Sequence, residues 1–141
     1  MRKILLMLLL MLPLLAVAQE KTKVACIGNS VTYGYGHKEP PKTSYPSQLQ
    51  QMLGEGYDVR NFGHSGATLI SKGYRPYINL PEYKAALEFA PDIAIIHLGL
   101  NDTDPRCWPN YRDYFYGDYM NIIKALRDKN PEVEVYICRM T

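Results

Sequence analysis

The sequence has no block of basic residues, no Arg/Lys stripe and almost no net charge once its first residues are set aside. All 14 acidic residues follow Ala18, whereas two of the 16 basic ones, Arg2 and Lys3, precede it. Residues 19–141 are therefore formally neutral, which argues against nucleic acid or another polyanion as a partner. Cysteine is scarce. Cys26, Cys107 and Cys138 show no metal-ligand spacing, and an odd count in an exported chain leaves at least one thiol unpaired. Cys26 and Cys138 lie in apolar runs and read as small core residues, with a disulfide left open. Neither G-x-x-x-x-G-K-S/T nor a full G-x-G-x-x-G is present, which weighs against a nucleotide cradle. Internal repeats and low-complexity tracts are absent after Ala18.

What is present begins with an export signal. Arg2 and Lys3 give a positive start, Ile4 to Leu15 is an apolar run broken only by Pro13, and Ala16-Val17-Ala18 is a small-residue cleavage site. The apolar stretch falls short of the roughly 20 residues a spanning helix needs. The expectation is a signal peptide at 1–18, Gln19 as the mature N-terminus, no stable membrane anchor, and a periplasmic or secreted product. The remainder, 19–141, suffices for one domain.

Strand-like and helix-like segments then alternate. Lys23 to Gly28 is a short apolar run ending in glycine. Thr43, Ser44 and Pro46 open a helix with Tyr45, Leu49, Met52 and Leu53 on one face, stopped by Gly54. Tyr57 to Phe62 reads as a second strand and leads into a loop holding Gly63, Gly66 and Gly73. Pro81 starts a helix closed by Pro91. Asp92 to Gly99 is a continuous apolar strand that suits a central position covered on both faces. Phe115, Tyr119, Ile122, Ile123 and Leu126 mark an amphipathic helix, and Val133, Val135 and Ile137 a fourth strand. This alternation predicts an α/β fold with a parallel sheet. Function in such sheets sits at the carboxyl ends of the strands. That rule selects Gly28-Asn29-Ser30, the segment Asn61 to Thr68, and Gly99-Leu100-Asn101-Asp102.

Each cluster has a chemical use and an ordinary one. A serine at a tight strand-to-helix turn presents its hydroxyl and a backbone N–H to a cleft, yet it also serves as a helix cap. The G-x-S-x-G elbow is absent, since Thr32 stands two residues after Ser30. Glycines around Ser65 allow close approach of a ligand to the backbone, or simply a flexible connection. Asn101 offers a side-chain N–H to an oxyanion, or caps the next segment. Together the three segments resemble the SGNH hydrolases, the GDSL-type esterases. Gly28-Asn29-Ser30-Val31 stands at that family's G-D-S-L block, Gly66 at its second-block glycine, and Gly99-x-Asn101-Asp102 matches its G-x-N-D block in full.

The resemblance implies a three-layer, flavodoxin-like domain over about residues 23 to 138. It implies Ser30 as nucleophile, with the N–H groups of Ser30 and Gly66 and the Asn101 side chain as oxyanion hole, and no metal or organic cofactor. Two departures stand out. Asn29 replaces the usual Asp, which is not the triad acid. The D-x-x-H block that supplies acid and base is missing, because Gly34, Asn61 and Ala94 stand three before His37, His64 and His97. The expectation is therefore a domain that stops short of its last strand and helix, with the triad acid and base beyond Thr141. The run Asn101-Asp102-Thr103-x-Pro105 with Trp108 looks like members acting on carbohydrates, including sialate O-acetylesterase-like enzymes. Tyr33, Tyr35, Arg106 and Trp108 follow the catalytic loops and are candidates for stacking on a sugar or clamping a carboxylate. The substrate implied is a small-molecule or glycan ester, acetyl in particular. Two other readings of the same residues are a flavodoxin-like domain binding phosphate or flavin and a glycan-binding relative without a base.

Overall fold

The structure is a computed structural model that describes residues 20–139. The expected signal peptide and its cleavage point lie outside the described residues. Four strands form one parallel sheet in the order β2-β1-β3-β4: β1 Thr22–Gly28, β2 Tyr57–Gly63, β3 Ile93–His97 and β4 Glu134–Ile137. Three short or medium helices join β1 to β2, namely α1 Ser30–Tyr33, α2 Pro40–Thr43 and α3 Tyr45–Leu53. Two more follow, α4 Pro81–Phe89 and the longer α5 Phe115–Lys129. The chain moves to one side of β1 for β2 and to the other for β3, so the strand order reverses between β1 and β3. A crevice at the carboxyl ends of such strands is where an open α/β sheet binds its ligand.

The pairing register sorts the strand residues onto two faces. Ala25, Ile27, Ala94 and Ile96 point toward α4 and α5 and join Phe62, Ala86, Phe89, Tyr119, Ile122 and Leu126 in the core. Ile27, Ile96, Ile122 and Leu126 are fully buried, and each such side chain contributes about 1.5–3 kcal/mol over leaving it in water. Helix α5 presents Tyr119, Ile122, Ile123 and Leu126, spaced at one helical face, to this layer.

The opposite face is covered unevenly. Helix α3 lies over β2, where the Gln50 carboxamide accepts from Val59 N at 2.8 Å and donates to the carbonyls of Gly54 and Tyr57 at 2.9 and 3.2 Å. It thereby satisfies polar groups that an edge strand would leave open. Beyond α3, an apolar hollow of about 390 Å³ is lined by Val24, Leu49, Leu53, Tyr57, Ile95 and Tyr136, among others. The expectation that β3 is covered on both faces is met on one face only. Ala94 and Ile96 are buried, while Ile93, Ile95 and His97 are half-buried. A continuous apolar run marks a strand without revealing how much lies over each side of it. Likewise Met52 and Ile137, expected on apolar faces, are exposed. All three cysteines are free: Cys26 and Cys107 are buried, and Cys138 is half-buried on the thinly covered face. No helix among the described residues is long and apolar enough to cross a membrane.

Candidate functional site

Ser30 is the first residue of α1, directly after β1. Asn29 caps that helix, its Oδ1 accepting from Val31 N at 3.0 Å. The amide in place of the expected Asp keeps the acceptor that the turn needs, and Asn29 Nδ2 is buried without a partner among the described residues. A residue at the start of a helix has no carbonyl one turn back within that helix, which leaves the Ser30 N–H available to a ligand. Helix α1 is pressed onto the strand ends. A Cβ on Gly28 would lie 2.0 Å from Thr32 Oγ1, and one on Gly63 would lie 2.3 Å from Tyr33 N. Asn61 fastens the same junction, donating to Thr32 O at 2.8 Å and accepting from Gly63 N at 2.9 Å.

Gly66 occupies the third place of a turn closed by Ala67 N donating to His64 O at 3.1 Å. Its φ of +80° lies in the left-handed region that glycine enters without strain. His64 N in turn donates to Gly28 O at 2.9 Å, so the turn is hung on the strand end that carries Ser30.

Asn101 opens a single 3-10 turn, Asn101–Thr103, immediately beyond β3. Its Nδ2 donates to Ala67 O at 2.9 Å. A carboxamide has two N–H groups, so one holds the Gly66 turn and the other is left for a ligand. Asp102, almost fully buried, accepts from Leu69 N at 2.9 Å through one oxygen and from Ile70 N at 2.7 Å through the other. Asp118 on α5 accepts from Ser71 N at 2.7 Å. Burial pushes the Asp102 carboxyl above its ordinary range, opposed by the Ile70 and Leu69 amides. The loop from Gly63 to Arg75 is thus held from below by two carboxylates.

The other sequence candidates separate. Trp108 lines an apolar hollow of about 340 Å³ with Gly99, Thr103 and Phe115, beside the Asn101 turn. Arg106 faces its own neighbour: Nε and Nη2 donate to the two Asp104 oxygens at 2.9 and 2.8 Å, and the guanidinium lies 4.2 Å from the Tyr74 ring centroid. Tyr33 is half exposed and borders a different hollow, with Asn61, Gly63 and Glu82. Tyr35 is exposed.

The histidines lie in three settings. His64 Nδ1 and Glu82 Oε1 are 3.0 Å apart, a pair that residues 18 apart in sequence did not announce. His37 Nδ1 lies 2.9 Å from Thr43 Oγ1 on an exposed loop. His97, expected in the core, is half-buried beside Val31, Tyr45 and Cys138, with Nδ1 unpartnered among the described residues. The roles of Asp102, Asp118 and Asn61 were also missed by sequence reading. A carboxylate next to Asn101 and another in the first turn of α5 were the only signals. Among the described residues no three His, Cys, Asp or Glu side chains are grouped so as to hold a metal ion.

Comparison with known proteins bears on the family and the fold. Residues 26–141 match the GDSL-like lipase/acylhydrolase family. An acetylxylan esterase of Xylanibacter ruminicola is 47% identical over 112 residues, 79% of this chain but 23% of that protein. The SGNH-hydrolase family esterase AlinE4 superposes with a TM-score of 0.66 at 24% identity, over 86% of this chain and 60% of its own. A family two carbohydrate esterase from Clostridium thermocellum, solved with cellohexaose, gives 0.64 at 22% identity, over 85% of this chain and 43% of its own. At these identities the structures bear on the fold.

Proposed function

The chain belongs to the GDSL-like lipase/acylhydrolase family, the SGNH hydrolases, and on that premise we propose that it carries the nucleophile and oxyanion donors of an exported serine esterase acting on acetyl esters of carbohydrates. The observation that carries the reading is the hydrogen bond from Asn101 Nδ2 to Ala67 O. It joins the turn beyond β3 to the Gly66 turn, on the same sheet edge where α1 begins with Ser30.

Ser30 Oγ attacks the ester carbonyl carbon and the carbonyl oxygen takes up negative charge. The Ser30 and Gly66 N–H groups and the second Asn101 Nδ2 hydrogen donate to it. Donors fixed in advance need no reorganisation as charge develops, and each is worth about 10²–10³ in rate. The alcohol leaves with a proton, and water releases the acetyl group from Ser30. A serine hydroxyl needs a base for the first step, and this family's D-x-x-H pattern does not occur in residues 1–141. The proposal therefore assigns no acid–base pair to this segment. The relative named as an acetylxylan esterase and the hollow beside Trp108 support an acetylated glycan as substrate. Export rests on the segment Arg2 to Ala18.

The test is release of acetate from acetylated xylan and from an aryl acetate by the natively produced protein. Activity that falls by several powers of ten in Ser30→Ala supports the proposal. Activity unchanged by that substitution overturns it.

A further inference from the structure

The segment between the Asn101 turn and α5 exposes an unusual amount of aromatic surface. Trp108 is 42% exposed, Tyr114 47% and Tyr116 77%, with Tyr111 at the margin of exposure. A soluble domain that leaves several large rings uncovered in one short stretch marks an interaction surface. These rings are braced rather than loose. Trp108 meets Phe115 edge-on at 6.0 Å, and Phe115 packs on the buried Tyr119 at 5.8 Å, so the exposed layer is continuous with the core. Tyr111 and Tyr114 form their own edge-to-face pair at 6.5 Å and 70°. The backbone beneath is a chain of tight turns, with Cys107 N and Trp108 N donating to Asp104 O and Tyr111 N to Cys107 O, anchored by the fully buried Cys107.

The charges nearby are matched. Arg106 pairs with Asp104 at 2.8 Å and Arg112 lies 3.7 Å from Asp113. A surface of ring faces and phenolic hydroxyls with its charges internally paired suits an uncharged, hydroxyl-rich ligand, whose C–H faces stack on rings while its hydroxyls accept and donate. An anionic polymer would find no unpaired cation on this segment, and an apolar protein partner would be met by three phenols.

We infer that Tyr111 and Tyr114 form a subsite for a neutral polysaccharide backbone. It is separate from the Trp108 hollow and holds the polymer while an ester it carries is presented at Ser30. The inference rests on the esterase reading for its consequence in turnover but not for binding. Its consequence is a preference for polymeric over small esters.

The experiment compares kcat/KM for soluble acetylated xylan with that for an aryl acetate, in the natively produced protein and in a Tyr111→Ala/Tyr114→Ala double variant. Stacking predicts a loss of about tenfold or more on the polymer with aryl acetate turnover within about twofold, and recovery on the polymer in Tyr111→Trp/Tyr114→Trp. Equal losses on both substrates, or no loss on the polymer, would overturn the subsite. If the parent protein hydrolyses neither ester, the esterase reading fails by itself. Retardation in a xylan-containing native gel then decides the subsite: retardation lost in the alanine variant supports it, and retardation absent or unchanged overturns it. A self-association of the parent protein that the double variant abolishes would assign the surface to a second copy instead.

Discussion

Asn101 and Ala67 stand 34 residues apart in sequence and are joined by one hydrogen bond, Nδ2 to carbonyl, of 2.9 Å. That bond fixes the carboxamide plane, and with it the direction of the remaining N–H. Replacing Asn101 by Ala removes the proposed oxyanion donor and the bond that ties the Gly66 turn to the turn beyond β3. The expected result is a fall in kcat of about 10²–10³ with a smaller change in KM, measured with an aryl acetate. A change confined to KM would mean that Asn101 serves binding alone.

Asp102 acts one layer lower. Its two oxygens hold the Leu69 and Ile70 N–H groups in a site shut off from water. In Asp102→Asn the amide nitrogen faces a donor and one buried N–H loses its acceptor. The cost expected is about 1–3 kcal/mol in chemical denaturation, with hydrogen exchange at residues 69 and 70 accelerated first. Unchanged stability would show that the loop does not depend on this carboxylate.

The His64–Glu82 pair has the donor–acceptor contact of a histidine held by a carboxylate, but the proposed mechanism gives His64 no proton to carry. His64→Ala is expected to keep kcat within about tenfold of the parent. Loss of a true triad base costs several powers of ten, and a fall of that size would make His64 the base.

Asp104 offers a pH test. The Arg106 side chain, donating to both its oxygens, holds the carboxyl down at about 2 from an ordinary 3.8. A depressed carboxylate stabilises the fold above its unfolded pKa, and that contribution is lost as pH falls from about 3.8 toward 2. The Asp104 carboxyl carbon should titrate near 2 by NMR and move upward in Arg106→Gln. A midpoint near the ordinary value in both proteins would mean the pair does not form in solution.

These residues also show where the sequence was readable. Strands β1 and β3 were legible because both are short, continuous apolar runs bounded by turn residues, and the helix over Tyr45–Leu53 because Ser44, Pro46 and Gly54 punctuate it. Ser30, Gly66 and Asn101 could be chosen because strand ends concentrate function and because their motifs match one family. The loop clamp was hidden: Asp102 and Asp118 accept from backbone amides 32 to 47 residues away, and backbone donors leave no side-chain signature. Arg106 read as a candidate to clamp a substrate carboxylate, although Asp104, two residues earlier, was close enough to capture it. The thin cover over Ile95 and Tyr136 depends on what packs against the sheet, which a strand's own composition does not encode.

The central claim concerns the hydroxyl of Ser30. It is tested most directly by treating the natively produced protein with a fluorophosphonate serine probe and mapping the adduct by peptide mass spectrometry. The account predicts a single adduct on the peptide containing Ser30, absent from Ser30→Ala. No adduct, or one on another serine that persists in Ser30→Ala, would contradict it.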